Sequence, residues 1–234
     1  MNSRIITILA TAFPQIVSAA IKMTVPLTIL SFCFGCILAM FLALVQVANI
    51  KGFKQFARFY IWVFRGTPLI VQLFIIFFGL PSLGIIIPAF PSAVIAFSLN
   101  LGAYTSEIFR SAILAVPDGQ WEAASMIGLT YPQTLVRVIF PQAFRIAFPP
   151  LFNSLIGLTK DTSLASTITI VELFTKAQMI SAAYYEPFAL YCEAAFVYLI
   201  ICTLLTILQS KLEKKLVWDK PKTPDRTDIR KEAA

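Results

Sequence analysis

The chain has 234 residues, of which 58% are hydrophobic and only 13% are charged, and its mean hydropathy is +0.80. Soluble domains carry about a quarter charged residues, so this composition excludes a soluble globular domain. The net charge of +7 does not indicate nucleic-acid binding, because the basic residues are not gathered on one polar face. The absence of histidine excludes a histidine-based catalytic dyad. We expect neither a catalytic residue nor a metal site.

The long apolar runs predict an all-α membrane protein with five transmembrane helices. Residues 23–50 contain no charge and exceed the roughly 20 residues that cross the hydrocarbon core as a helix. A turn rich in glycine and proline, residues 79–91, divides the next uncharged stretch into two spans. The five predicted spans are about residues 23–48, 58–79, 91–110, 149–172 and 187–210.

The positions of the lysines and arginines predict the orientation. If the N-terminus is outside, fourteen of the 19 basic residues fall in cytoplasmic segments and three fall in external ones. We therefore predict an external N-terminal segment at 1–18, a membrane domain at 19–210 and a cytoplasmic tail at 211–234. The basic start of the tail suits either a topology anchor or contact with anionic lipid.

Between the third and fourth spans lies a polar insert, residues 117–141, which predicts two short helices with a bend. Asp118 is expected to cap the first helix, and Thr130 with Gln133 forms a capping-box pattern for the second. Pro141 is expected to end the second helix. The small side chains of the insert suit docking into a groove of another protein, whereas Trp121 equally suits a helix in the headgroup layer. The residues alone favour neither of these two interpretations.

The insert resembles a known motif. Glu122-Ala123-Ala124, Gly128 and Phe140-Pro141 are similar to the EAA loop of the membrane subunits of bacterial ABC importers, with phenylalanine at 140 where leucine is usual. Flanking segments resemble the polar amino-acid permeases of the histidine, glutamine and cystine type. These segments are Arg65-Gly-Thr-Pro68, residues 103–110, residues 116–121 and Lys160-Asp-Thr-Ser-Leu164.

The resemblance implies a type I ABC importer fold and a set of partners. Two permease chains, identical or different, would form the pore, and an extracytoplasmic amino-acid-binding protein would supply the substrate. The EAA loop would dock as a coupling helix on a cytoplasmic ABC ATPase dimer. The residues implied in coupling are Glu122, Ala123, Ala124, Gly128 and Pro141. The chain has no phosphate-binding loop motif, so ATP and Mg²⁺ are expected in the partner and no cofactor in this chain.

Charged side chains within a span cost about 2.5–3.5 kcal/mol on insertion scales and therefore indicate function. Asp161 and neighbouring hydroxyls suit the ammonium group of an amino acid, and Arg65 suits its carboxylate. The predicted substrate-binding residues are Arg65, Gln72, Tyr104, Asp161, Thr162 and Ser163. The alternatives are a structural ion pair between Lys160 and Asp161, and hydrogen bonds between helices.

One further feature of the third span bears on these alternatives. Asn100, Tyr104, Glu107 and Ser111 form a polar stripe at helical spacing, which is expected to face protein or water. Glu107 is also expected to pair locally with Arg110.

The motifs together predict the permease subunit of an ATP-driven importer of a polar amino acid such as cystine, located in the bacterial cytoplasmic membrane. The alternative is an ion-coupled carrier or channel that works without an ATPase. In that case the intramembrane charges would be ion ligands. Carriers of that class often contain inverted repeats, and the predicted spans show none.

Overall fold

The computed structural model describes residues 3–48 and 52–216, and within these ranges the protein consists of helices without strands. Three of these helices are long and apolar enough to cross a membrane, and a bent pair, Phe53–Gly66 with Leu69–Leu83, supplies a fourth candidate. The count of five spans stays a prediction. The helices are α1 (Ser3–Val47), α2 (Phe53–Gly66), α3 (Leu69–Leu83), α4 (Ala89–Leu114), α5 (Asp118–Met126), α6 (Tyr131–Ile168), α7 (Leu173–Tyr184) and α8 (Pro187–Leu216).

Helix α1 begins at Ser3, twenty residues before the predicted first span, and contains one π-helical turn at Ala20–Thr24. Ile8, Ala12 and Ile16 recur every four residues and are buried against α7 and α8. Residues 3–18 of the predicted external segment are therefore helical, continue into the helix of the predicted first span and pack within the chain through this apolar face.

The predicted second span, 58–79, is broken into α2 and α3, which meet at an angle of 104°. Thr67 is extended, with φ −120° and ψ 144°, and Pro68 follows it. A residue before proline is driven out of the helical region by contact with the proline ring. The bend therefore follows from the Thr67-Pro68 pair, which the hydropathy pattern did not reveal.

Helix α4 lies at the centre of the bundle and packs closely on α1. A Cβ atom added to Gly35 of α1 would lie 2.8 Å from the Leu101 side chain, and one added to Gly102 of α4 would lie 2.9 Å from Leu38. Each helix thus has a glycine that packs against a leucine of the other helix. Because these glycines have no side chain, the two backbones approach closely. Asn100 and Glu107 are half-buried and Tyr104 and Ser111 are exposed, so the polar stripe of α4 lies at the edge of this packed core.

Helix α6 contains Pro141, which was expected to end a helix, and further on Pro149 and Pro150. Pro141 does not end a helix: the π-helical turn Leu135–Ile139 precedes it, and Phe140–Asp161 continues as α-helix. Pro149 and Pro150 lie inside the same helix, where Gln209 of α8 donates to the carbonyl of Pro149 at 3.3 Å and Ser154 donates to that of Pro150 at 3.0 Å. The wider π-helical turn gives room to the ring of Pro141.

After Asp161 the chain tightens into the 3₁₀ helix Thr162–Ile168, and α7 follows. Sequence reasoning missed α7, which begins at Leu173, directly after the predicted end of the fourth span. The last predicted span, 187–210, extends as helix α8 to Leu216. The rest of the predicted tail, 217–234, lies outside the described residues.

Candidate functional site

The polar insert has the form of a helix closed by a Schellman turn. Helix α5 ends at Met126, the N–H of Gly128 donates to the carbonyl of Ser125 at 3.0 Å, and that of Leu129 donates to the carbonyl of Ala124 at 3.1 Å. Gly128 has φ +80°, a left-handed conformation that favours glycine. No atom lies within 4 Å of a Cβ built there, so the turn requires glycine for its conformation and leaves open space around it.

The two faces of α5 differ. Ala124 is buried, and Trp121 packs partly buried on the cluster formed by α1, α4 and α6. Glu122 and Ala123 face outward, and the tip residues Met126 and Ile127 are 87% and 76% exposed. The EAA residues therefore divide into an anchored side and a free side. An exposed apolar tip on a polar helix is suited to a protein groove.

The helix that follows begins as the sequence predicted. The backbone N–H of Thr130 donates to the side-chain carbonyl of Gln133 at 2.9 Å, which completes the capping box. Asp118, however, is the first residue of α5 and not its cap, a position that Pro117 occupies. A carboxylate in the first turn still interacts favourably with the helix dipole.

A cavity of about 410 Å³ lies between the α2–α3 bend, α4 and α6. Its polar lining comes from Thr67, Asn100, Tyr104, Ser154 and Asp161, and the other lining residues are apolar or glycine. We call this space the central cavity. It combines one carboxylate with hydroxyl and amide groups, a set that suits an ammonium group with further hydrogen-bonding partners.

The predicted substrate residues do not all reach the central cavity. Asp161 and Tyr104 line it, whereas Thr162 is fully buried and its hydroxyl donates to the carbonyl of Thr159 at 2.8 Å. Ser163 and Lys160 line a different groove of about 560 Å³ against α7 and α8. Neighbouring positions on a helix point about 100° apart, so the side chains of residues 160–163 point toward two different faces of the helix. Lys160 and Asp161 form no ion pair with each other in the described structure.

Gln72 holds the bend and does not line the central cavity. Its side chain is buried, and its Nε2 atom donates to the Phe64 carbonyl at 2.9 Å and to the Thr67 carbonyl and hydroxyl at 3.1 and 2.8 Å. Asn100 of α4 donates to the Oε1 atom of Gln72 at 3.0 Å. The Gln72 amide thus pairs with carbonyl groups left free where the helix breaks, and its bond from Asn100 connects the bend to the polar stripe of α4.

Arg65 lines a second cavity, of about 400 Å³, which shares Tyr104 with the central cavity. The guanidinium carbon of Arg65 lies 5.4 Å from the centre of the Tyr104 ring, a cation–π contact. Glu107 and Arg110 form the predicted local pair, with N–O distances of 3.0 Å. Asn100, Tyr104 and Glu107 of the polar stripe thus line the cavities beside the α2–α3 bend, which agrees with the expectation that the stripe faces protein or water.

Four polar or small residues of this region were missed by sequence reasoning. Thr67, Ser154 and Gly157 line the central cavity. Ser154 and Gly157 lie seven and four residues before Asp161, so helical periodicity alone places them on its face. Glu172 is fully buried and caps α7, because its side chain accepts from the backbone N–H of Thr175, three residues later. This spacing was the one indication of the cap in the sequence.

Helix α6 connects the insert to the central cavity directly. It is continuous from Tyr131, beside the tip of α5, to Asp161, a distance of roughly 45 Å at 1.5 Å per residue. Helix α4 returns along the same route, from Asn100 at the cavity to Leu114 near α5. A displacement of the insert therefore reaches the cavity through two helices.

Residues 35–218 match the family of inner membrane components of binding-protein-dependent transport systems. The chain belongs to this family. The L-cystine transport system permease protein TcyB of Bacillus subtilis (strain 168) is 53% identical over 206 residues, which cover 88% of each protein. The arginine transport system permease protein ArtQ of the same organism is 37% identical over 206 residues, or 87% of this chain and 94% of that relative.

Solved structures agree with this family membership. A crystal structure of an amino acid ABC transporter with histidines matches 92% of this chain and 100% of its own, with a TM-score of 0.84 and 35% identity. The MetNI methionine ABC transporter, at 17% identity and a TM-score of 0.69, shares the fold. The family member described here is thus a multi-pass membrane protein with the type I ABC importer fold, and the resemblance carried by the EAA loop is confirmed.

Proposed function

We propose that this chain forms the translocation pathway of an ATP-driven amino-acid importer and that cystine is its substrate. The observation that carries the choice of substrate is the 53% identity with a cystine permease along 88% of the chain. The central cavity supports it chemically, because an amino-acid zwitterion needs an acceptor for its ammonium group and donors for its carboxylate. Asp161 supplies the acceptor, and the Asn100 amide and the hydroxyl groups would supply donors in exchange for the intrachain acceptors that they bond in this structure.

The insert is proposed to dock on a cytoplasmic ABC ATPase. Met126 and Ile127 enter a groove of that partner, and Glu122 makes a polar contact beside them. Because Trp121 and Ala124 fix the opposite side of α5 to the bundle, movement of the insert moves α4 and α6 together. ATP-driven closure of the ATPase then changes the width of the central cavity at its Asp161 end. Pro141 acts within α6 as part of this connection, through its place after the π-helical turn.

The remaining partners follow from the same proposal. A second permease chain completes the pore around the exposed Asp161 and Tyr104 side chains. An extracytoplasmic binding protein delivers cystine on the side of Tyr185, the turn between α7 and α8. The N-terminus is outside and α8 ends in the cytoplasm. ATP and Mg²⁺ bind the ATPase subunit, and this chain supplies no catalytic residue.

Uptake into proteoliposomes tests the proposal. The chain is reconstituted with its ATPase, the binding protein is added outside, and radiolabelled cystine and arginine are compared with and without ATP inside. The proposal expects ATP-dependent uptake of cystine and little uptake of arginine. Uptake that proceeds without ATP under an ion gradient would instead support the ion-coupled carrier. ATP-dependent uptake of arginine but not cystine would refute the assigned substrate.

A further inference from the structure

The second cavity, between α1, α2 and α4, carries an excess of positive charge. Arg58 and Arg65 lie two turns apart on one face of α2 and both line it. Glu107 lines it too, but its Oε2 atom accepts hydrogen bonds from Nε and Nη2 of Arg110, both at 3.0 Å. Across residues 3–48 and 52–216, no carboxylate lies within ion-pairing distance of either guanidinium group of the cavity.

A third donor group belongs to the same cavity. Gln46, in the last turn of α1, lines it, and the Nε2 atom of this side chain is buried without a hydrogen-bond partner in the part of the chain that the structure describes. Buried donors are nearly always paired in native proteins. Two guanidinium groups and one unpaired amide around a single space are suited to an anion with several oxygen atoms, such as a phosphate or a carboxylate.

The position of the cavity favours a lipid phosphate. The end of α1 near Gln46 packs with Trp121 and Leu135, so this end of α1 adjoins the polar insert. Trp62 lines the cavity and is 71% exposed, and a short row of exposed aromatic side chains continues from it along α2. Tryptophan prefers the membrane interface, and basic pockets between membrane helices on the cytoplasmic side suit anionic headgroups.

We propose that an anionic phospholipid of the leaflet next to the insert places its phosphate in this cavity. Arg58, Arg65 and the amide of Gln46 donate to the phosphate oxygens, and the acyl chains lie along Phe59 and Trp62. The lipid completes the contact between α1 and α2 beside the insert. This assignment does not depend on which amino acid the importer carries.

Native mass spectrometry of the purified importer complex tests the site. The complex is extracted in detergent with equal amounts of phosphatidylglycerol and phosphatidylcholine, and lipid adducts are counted. The wild type is expected to retain phosphatidylglycerol in excess, and Arg58→Gln to weaken this retention about fivefold. Arg58→Lys should keep most of it. Arg137→Gln is the matched control, because Arg137 is exposed on α6 away from the cavity.

Equal retention of both lipids by the wild type, or unchanged retention by Arg58→Gln, would overturn the proposal. Should Arg58→Gln fail to fold, Gln46→Leu decides, since it removes one donor from the cavity without leaving a buried charge and is also expected to lose phosphatidylglycerol. The substrate carboxylate is the other source of anionic oxygens, as Tyr104 lines both cavities. Displacement of the lipid by added cystine, with a raised KM for uptake in Arg58→Gln, would assign the site to substrate and contradict the lipid.

Discussion

The indole ring of Trp121 stacks on the ring of Tyr131, with centroids 5.4 Å apart and an angle of 20° between the planes. The stack joins α5 to the first turn of α6 across the Gly128 turn. It holds the exposed tip, Met126 and Ile127, at a fixed angle to α6. If the insert docks as proposed, we expect movement of the tip to pass into α6.

Trp121→Ala is expected to lower substrate-stimulated ATP hydrolysis severalfold while cystine binding stays unchanged. The loss of an aromatic pair costs about 0.5–1.5 kcal/mol beyond the loss of buried area, enough to loosen the insert without unfolding the bundle. Hydrolysis by the reconstituted complex is the measurement. Trp121→Phe keeps a ring against Tyr131 and serves as the control. Equal stimulation in wild type and Trp121→Ala would show that the stack does not transmit force.

Gln72 gives a test that separates a structural from a substrate role. Gln72→Leu removes the donor to the carbonyls of Phe64 and Thr67 and the acceptor for Asn100. Buried groups left unpaired cost about 1–3 kcal/mol in total stability, so we expect a Tm several degrees lower. A direct substrate contact would instead raise the KM for uptake at an unchanged Tm.

Asp161 and Ser163 form a matched pair for the central cavity, because one lines it and the other lines the groove against α7 and α8. Asp161→Asn keeps the size of the side chain but removes its charge, and we expect the KM for uptake to rise about tenfold or more. Ser163→Ala is expected to leave the KM within twofold. A large effect of Ser163→Ala together with a small effect of Asp161→Asn would exchange their roles.

Glu172 holds α7 and α8 together through its buried carboxylate. It accepts from the N–H groups of Phe174 and Thr175 at 2.8 and 2.7 Å and from the hydroxyl of Tyr198 at 3.0 Å. Hydrogen bonds to a charged group contribute about 1.5–3 kcal/mol each, so Glu172→Gln is expected to lower the Tm markedly. Tyr198→Phe, which removes one donor, should lower it less. A Tm unchanged in both variants would mean that α7 is held by apolar packing alone.

Much of the insert could be predicted from sequence because its determinants are local. A capping box acts within about four residues, and Thr130 and Gln133 adopt the expected structure. The left-handed turn at Gly128 is an equally local feature, but it was not predicted. Pro141 was misinterpreted because a π-helical turn before it accommodates the proline ring. Whether the chain adopts that turn depends on packing between α5 and α6, which no short pattern records.

The central cavity was harder to predict because its lining depends on how α4 and α6 are rotated about their axes and on the bend between α2 and α3. Asp161 and Ser163 lie only two residues apart in the motif, yet positions two apart on a helix point roughly 200° apart. That periodicity was available from the sequence and would have separated them. The role of Gln72 was not available, because its partners are carbonyl groups that become free only where Thr67-Pro68 breaks the helix.

The most direct test of the central claim, that an ATPase drives this pore through the insert, is cystine-stimulated ATP hydrolysis by the reconstituted complex of Gly128→Asp. Position 128 has a left-handed backbone and open space around it, and an aspartate adds a negative charge at the proposed docking surface. The control is Gly128→Asn, since asparagine tolerates the left-handed region and is uncharged. The account predicts that Gly128→Asp loses both stimulated hydrolysis and association with the ATPase, while Gly128→Asn keeps a substantial part. A Gly128→Asp complex that assembles and hydrolyses ATP as the wild type does would contradict it.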